Sequence, residues 1–248
     1  MSEKIDNPII KFESIDSTNN YATNHLVEEG WLEGTVVFAD VQLKGKGQLQ
    51  NSWESEKGKN LLISIVLYPE FVPVQNQFEI SKVIALSVCE VVSLFVENVS
   101  IKWPNDIYVG NQKIAGILIE NAVIGNELSY SVAGVGLNVN QQLFLSDAPN
   151  PVSLYQLKGI EFDREEILSL LLQSVWKWYE MLKQKNILAI DTAYLNLLYQ
   201  LDVEATYKDD SGVFSGKIIG VDPIGQLMIE KSSGEIRSYF FKEVAFLD

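Results

Sequence analysis

The sequence predicts helices and strands in two parts: an α/β portion over residues 1–199 and a small β-barrel over residues 200–248. Three observations carry this. Apolar, β-branched runs at Thr35–Val41, Asn60–Tyr68 and Lys113–Glu120 read as buried strands. Apolar residues recur at helical spacing over 78–97 and over 164–183. From Leu201 the character changes to short strands separated at regular intervals by Asp209-Asp210-Ser211-Gly212 and Asp222-Pro223-Ile224-Gly225, the pattern of a small barrel.

The elements follow in order. Phe12-Glu13-Ser14-Ile15 suits a short strand, and Asp16, Ser17 and Thr18 each suit a helix cap. Tyr21, Ala22, Leu26 and Val27 continue a helix over 19–29, which Gly30 ends. Its His25 is the only histidine and reads as a surface residue. The 78–97 helix is apolar nearly all round, so Cys89 within it reads as a small core residue. Pro104 cannot donate in a ladder, so Trp103-Pro104-Asn105-Asp106 is a turn or strand end. In 128–139 the apolar residues change parity around Ala133-Gly134, which predicts a bulge there. Residues 141–162 read as loop and turn, and a shorter helical run follows 164–183 to about Leu198.

Composition narrows the function. Apolar residues make up 47% and charged residues 21%, which are globular values. Nineteen Lys and Arg face 33 Asp and Glu, a net charge of −14, which argues against DNA as a partner. No apolar stretch is long enough for a membrane span, and the first eight residues hold no apolar signal core. A single cysteine excludes an internal disulfide and fits a reducing compartment, so the chain reads as cytoplasmic. One histidine supports neither a His-based metal site nor a Ser-His-Asp triad.

Against this acidic background, residues 42–59 carry lysines 44, 46, 57 and 59 but only glutamates 54 and 56. Gly45 and Gly47 lie between two strands, among Lys44 and Lys46, and such a loop suits a phosphate or carboxylate. Ser17, Thr18 and Asn19 offer donors and acceptors at a helix start, fit for a polar, uncharged ligand. Lys102, Asn105 and Asp106 sit where they can face a ligand packed on Trp103. Lys113 stands at the mouth of a strand in which Gly116 lets something lie against the backbone, and Asn138 needs hydrogen-bond partners among its apolar neighbours. No GxxxxGK[ST] is present, so a nucleotide would not be held by a P-loop.

Taken together, Asp16-Ser17-Thr18-Asn19, Gln42 with the GxG loop and Trp53, Lys102-Trp103-Pro104-Asn105-Asp106, Lys113-Ile114-Ala115-Gly116-Ile117-Leu118-Ile119-Glu120 and Gly134-Val135-Gly136-Leu137-Asn138 resemble the biotin protein ligases, in their short class without an N-terminal DNA-binding domain. The resemblance spans essentially the whole chain. It implies an α/β (α+β) catalytic domain with a mixed central sheet flanked by helices, and an SH3-like C-terminal barrel. It implies that biotin and ATP, with Mg²⁺, give biotinyl-5′-AMP. Biotin then passes to a lysine of the biotin carboxyl carrier domain of a biotin-dependent carboxylase. By the resemblance Ser17, Thr18, Asn19 and Gln42 meet the ureido ring, and Lys46, Gly47 and Gln48 close over carboxylate and adenylate. Gly116 and Ile117 wall the biotin pocket. Lys102, Asn105, Trp53 and Asn138 contact the nucleotide side, and Lys113 lies between carboxylate and α-phosphate. Asp106 either holds Mg²⁺ or orients the acceptor amine. A homodimer is one arrangement open to such a chain.

The family loop usually reads GRGRRG, whereas here it is Gly45-Lys46-Gly47-Gln48-Leu49-Gln50. Lys46 is a point charge without arginine's fork, Gln48 is neutral, and Gln50 stands where glycine is usual. Weaker retention of the adenylate is the expectation. Rival readings are a lipoate- or octanoate-type acyl ligase of the same fold and a non-catalytic biotin-binding paralogue.

Overall fold

The computed structural model describes residues 8–48, 52–146 and 149–247. Leu49, Gln50 and Asn51 therefore lie outside the described residues, and with them the expectation of backbone strain at Gln50.

The larger sheet has seven strands: β1 (Ile9–Phe12), β2 (Val36–Ala39), β3 (Leu61–Leu67), β4 (Val99–Lys102), β5 (Asp106–Val109), β6 (Gln112–Ile124) and β7 (Glu127–Leu137). Their order is β1-β2-β3-β7-β6-β5-β4. Only β1 and β2 pair in parallel, so the sheet is mixed, as the resemblance implied. Alternation along the strands sorts side chains onto two faces. Val36, Leu61, Ile63, Ile65, Ala133 and Val135 face the main core with α2 (Phe78–Ser93), α4 (Arg164–Lys183) and α5 (Ile187–Asn196). Val37, Val66 and Val132 face a smaller cluster closed by Ala22 and Leu26 of the α1 segment (α1 is Thr18–His25). This second face carries the site.

Several elements depart from the sequence expectations. The first strand is 9–12, and Ile15 makes only an isolated bridge to Gln42. The β7 bulge is not at Ala133-Gly134. The register slips between Ala122 and Val123 opposite Tyr130 and Leu128, leaving Ser129 as the extra residue. From 131 to 137 the pairing with β3 is continuous. Both faces of that stretch are covered, so apolar residues of either parity are buried without a break in the pleat. Within 141–162 a five-residue helix, α3 (Leu154–Lys158), starts at a capping box of Ser153 and Gln156. Its Ser-x-x-Gln signature was legible but short. His25 is not a plain surface residue; its ring stacks on Tyr21 at 4.0 Å, and its Nδ1 is 2.8 Å from the Tyr21 carbonyl oxygen. Cys89 is buried in α2 as expected, and burial pushes its thiol far up, away from thiolate chemistry.

The C-terminal strands β8 (Glu204–Asp209), β9 (Gly212–Val221), β10 (Leu227–Lys231), β11 (Ile236–Tyr239) and β12 (Ala245–Phe246) form a separate antiparallel sheet ordered β11-β10-β9-β8-β12. Among the described residues no ladder joins β11 to β12, so the expected barrel is an open five-stranded sheet. It abuts the larger sheet where Trp103 Nε1 donates to the Gly225 carbonyl at 2.8 Å. A Cβ on Gly225 would lie 2.6 Å from the Phe78 ring, so that turn needs glycine for close approach as well as for its φ of +93°. No helix among the described residues is long and apolar enough to cross a membrane.

Asp209 anchors this second sheet. Its side chain is fully buried, and its two oxygens accept from Ser211, Tyr239, Lys231 and Arg237. The Ser211 hydroxyl, with Tyr239 and Lys231, holds the carboxyl far below the usual range despite burial. A depressed folded pKa contributes stability that is fully present above the ordinary carboxylate range and is lost as pH falls from that range through the depressed folded value. Breaking a buried pair costs about 3–5 kcal/mol, and partial exposure of Arg237 reduces this to about 2–3 here. Asp209→Asn should therefore lower the free energy of urea unfolding by that amount at pH 7, with the gap narrowing below about pH 4.

Candidate active site

The site is built on glycines. Gly116 of β6 pairs across the ladder with Gly136 of β7, and Gly134 pairs with Leu118. A Cβ on Gly116 would lie 2.8 Å from the Trp53 ring, and one on Gly136 would lie 2.5 Å from it. On Gly134 it would collide with Asn19 Oδ1. The bare backbone track thus seats the Trp53 indole and the start of α1. Gly45 serves the same end: a Cβ there would sit 2.7 Å from the Trp53 carbonyl oxygen, and Trp53 N–H donates to the Gly45 carbonyl at 2.9 Å. Glycine at 45 is needed for this close approach, and its φ is not positive.

On one side of Trp53 is a small polar recess of about 30 Å³, lined by Ser17, Thr18, Asn19, Gln42, Lys46 and Gly134 among others. Ser17 caps α1, accepting from Asn20 N–H. Thr18 N–H donates to Gln42 Oε1 at 2.8 Å, fixing the loop to the helix start. Ser64 of β3 lies 2.7 Å from Thr18 Oγ1 and 2.6 Å from Asn19 Oδ1. With one proton, Ser64 donates to Asn19, whose oxygen is acceptor-only, and accepts from Thr18. Asn19 Nδ2 then donates to Glu120 at 2.8 Å and to the Leu118 carbonyl. Ser64 and Glu120 were not singled out from sequence. Ser64 had a signal, being the one polar residue in Leu61–Leu67.

On the other side is a cavity of about 270 Å³ bordered by Lys46, Gly47, Gln48, Trp53, Lys102, Asn105, Asp106, Lys113 and Gly116. Its most telling feature is a register shift between β5 and β6. Ile107 pairs with Ala115, but Tyr108 pairs with Lys113, leaving Ile114 as an extra residue. Strict alternation would turn Lys113 to the core face with Ala115 and Ile117. The bulge instead puts Lys113 on the face of Asp106, Tyr108 and Gly116, while Ile114 and Ala115 are both buried in the core. Lys113 Nζ lies 2.7 Å from Asp106 Oδ1 and 5.5 Å from the Trp53 ring centroid. Burial pushes the Asp106 carboxyl above its usual range, opposed by Lys113 and Lys102. Burial likewise lowers Lys102, whose ammonium lies over Tyr108, Phe246 and Tyr199. Perturbed groups of opposite sign in a cleft mark a reactive site.

Two buried atoms on this wall, Gln48 Oε1 and Trp53 Nε1, have no hydrogen-bond partner among the described residues. Unpaired buried groups of this kind are costly unless a ligand completes them. Asn105 is locked by Ile117, donating to its carbonyl at 2.6 Å and accepting its N–H at 2.9 Å. Ile117 packs in the core and also borders the cavity. Asn138 does not line the cavity: its Nδ2 donates to the Val152 carbonyl at 3.0 Å. Trp103 borders the cavity but belongs to the seam with the second sheet, edge-on to Phe241. Phe241 and Val244 from the β11–β12 connection and Phe246 of β12 also line the cavity, which no local pattern in the sequence foretold.

The donor set does not fit a resident Mg²⁺. Asp106 is a lone carboxylate engaged by Lys113, and no cluster of three His, Cys, Asp or Glu occurs among the described residues.

Comparison with known proteins agrees with this construction. Residues 11–138 match the model of the biotin/lipoate A/B protein ligase family, and the chain belongs to that family. It is 27% identical over 234 residues to the bifunctional ligase/repressor BirA of Bacillus spizizenii, covering 92% of this chain and 71% of the relative. It is 27% identical to the biotin–[acetyl-CoA-carboxylase] ligase of Paracoccus denitrificans, covering 88% of this chain and 92% of that protein. The structure superposes on a biotin protein ligase from Aquifex aeolicus in complex with biotin and ATP, with a TM-score of 0.80 and 27% identity, covering 96% and 97% of the two chains.

The Ser64 hub gives a direct check. Ser64→Ala leaves Asn19 Oδ1 short of a donor in a dry site, which costs about 1–3 kcal/mol. Urea unfolding followed by circular dichroism should show that loss with an unchanged m-value.

Proposed function

We propose that the chain is a biotin–protein ligase, which joins biotin to ATP as biotinyl-5′-AMP and passes the biotinyl group to a lysine of a biotin carboxyl carrier domain. One observation carries the reading: a recess lined with hydroxyls and amides and a lysine-lined cavity meet at Trp53 and Lys46 on a glycine track. Biotin has that layout, a ureido ring at one end and a carboxylate at the other. Ser17, Thr18, Asn19 and Gln42 supply the donors and acceptors a ureido group requires.

In the first half-reaction a carboxylate oxygen attacks the α-phosphorus and pyrophosphate departs. Attacker and target are both anionic, so a fixed cation must offset their repulsion, and a water-poor cavity strengthens its effect. We assign that role to Lys113, with Lys46 and Gln48 closing over the same charge. Asp106 holds Lys113 in place in the resting state. In the second half-reaction the carrier lysine, as a free amine, attacks the acyl carbon and AMP leaves. Asp106, with its raised pKa, is placed to orient that amine and take its proton. Mg²⁺ would arrive with the nucleotide's phosphates. Lys102, Asn105 and Trp53 are assigned to the nucleotide side, and Asn138 to holding the wall behind it. The division into a catalytic domain, 1–199, and a C-terminal domain, 200–248, belongs to the same reading, with Phe241 and Phe246 linking the two at the cavity.

A lipoate- or octanoate-type acyl ligase fits the recess less well, because an alkyl or dithiolane group has no donor or acceptor of the ureido kind to offer Ser17, Thr18, Asn19 and Gln42.

Incubation with biotin, Mg-ATP and a carrier domain should add one biotinyl increment to the carrier by intact mass, and lipoate or octanoate should not replace biotin. Lys113→Ala should lower adenylate formation about 10²–10³-fold, the loss typical of removing one charge-stabilising donor. Unchanged turnover in that variant would remove Lys113 from the mechanism, and a wild-type protein indifferent to biotin would refute the ligase reading.

A further inference from the structure

Glu54 follows Trp53 directly and touches neither compartment of the site. Its two oxygens accept from consecutive backbone amides: Leu145 N–H to Oε1 at 2.7 Å and Ser146 N–H to Oε2 at 2.8 Å. Gln141 stands behind this clamp. It donates to the Leu143 carbonyl at 2.8 Å and to Glu54 Oε1 at 3.4 Å, and its own oxygen accepts from Asn60 and from Glu56 N–H. Leu143 and Leu145 are 73% and 88% exposed and only Phe144 is half-buried, so hydrogen bonds hold segment 141–146: Ser153 and Gln156 donate to the Gln141 and Gln142 carbonyls at its start, and Glu54 takes the amides at its end. Past this segment the chain returns at Pro149, on the cavity wall, and at Asn150, whose carbonyl accepts from Lys113 N–H at 2.8 Å.

We propose that Glu54 is a positioning residue that ties the loop carrying Trp53 to segment 141–146, so that the two borders of the nucleotide cavity are set by one carboxylate. The inference rests on the reading that ATP occupies this cavity. A charged acceptor suits two converging amides better than a neutral one, since charge-assisted hydrogen bonds are about twice as strong. Burial raises the Glu54 carboxyl, but the donors from Ser146 and Leu145 outweigh it and hold it below its usual range. Freeing the segment would unfix Pro149 and the backbone partner of Lys113, while the recess around Thr18 and Gln42 would keep its own hydrogen bonds.

The test compares wild type, Glu54→Ala and Glu54→Gln in biotin-dependent ATP–pyrophosphate exchange, with biotin affinity measured without nucleotide. Amide hydrogen exchange at Leu145 and Ser146 is followed in parallel. Glu54→Ala should raise KM for ATP about tenfold, equivalent to about 1.4 kcal/mol, with biotin affinity unchanged and with at least tenfold faster exchange at the two amides. Glu54→Gln keeps one acceptor oxygen and should fall between the two. Unaltered KM and unaltered amide exchange would overturn the proposal, as would an equal loss of biotin affinity, which signals general damage. Absence of turnover in the wild type would instead count against the ligase reading, while the amide exchange still reports on the clamp.

Discussion

Lys113 must be held in a dry cleft yet stay free to meet an anion, and the rest of the site follows from how this is done. An unpaired ammonium would be expensive to bury, and a fully enclosed ion pair would be of no use to a ligand. Asp106 resolves the conflict at 2.7 Å, with about a quarter of each side chain left exposed. The pair exists only because Ile114 bulges out of register and turns Lys113 onto the face of Asp106. The backbone of Lys113 is held in turn by Asn150 and Val152. One irregular residue in a long strand thereby converts a core-facing position into a cavity-facing cation.

The glycine track is the complementary constraint. Side chains at 116, 134 and 136 would occupy the volume that Trp53 and Asn19 now fill. With no side chain there, polar groups from α1 and the lysine-bearing loop lie directly on the sheet, and two chemically different compartments adjoin. The main-core face shows the opposite regime: α2 and α4 cover it with close-packed aliphatic side chains, which supply rigidity and no chemistry. A rigid sheet with one face left partly bare is how this fold separates stability from function.

Much of the candidate site was legible in the chain. Ser17, Thr18, Asn19 and Gln42 were singled out and do converge, as do Lys46, Gln48, Trp53, Lys102, Asn105, Asp106, Lys113 and Gly116. Short motifs with unusual residue types were readable because glycine, proline and lysine in apolar strands have few other reasons to be there. Ile117 borders the cavity while also packing in the main core, whereas Asn138 does not line it and donates instead to the Val152 carbonyl. Ser64 was passed over because one hydroxyl in a buried strand looks local until the strand opposite α1 is known.

Periodicity and composition alone determined the long buried strands, the two long helices, the acidic balance and the change of character near residue 200, because each depends on the order of neighbours along the chain. Tertiary structure alone decided the bulge that aims Lys113, the slip at Ser129, the open edge of the C-terminal sheet and the aromatic wall it lends to the cavity. The bulge and the slip arise between neighbouring strands whose faces are covered by distant elements, and the aromatic wall depends on segments as far apart as Trp103 and Phe241 meeting. No local pattern encodes that meeting, because it is settled by the packing of two whole sheets against one another.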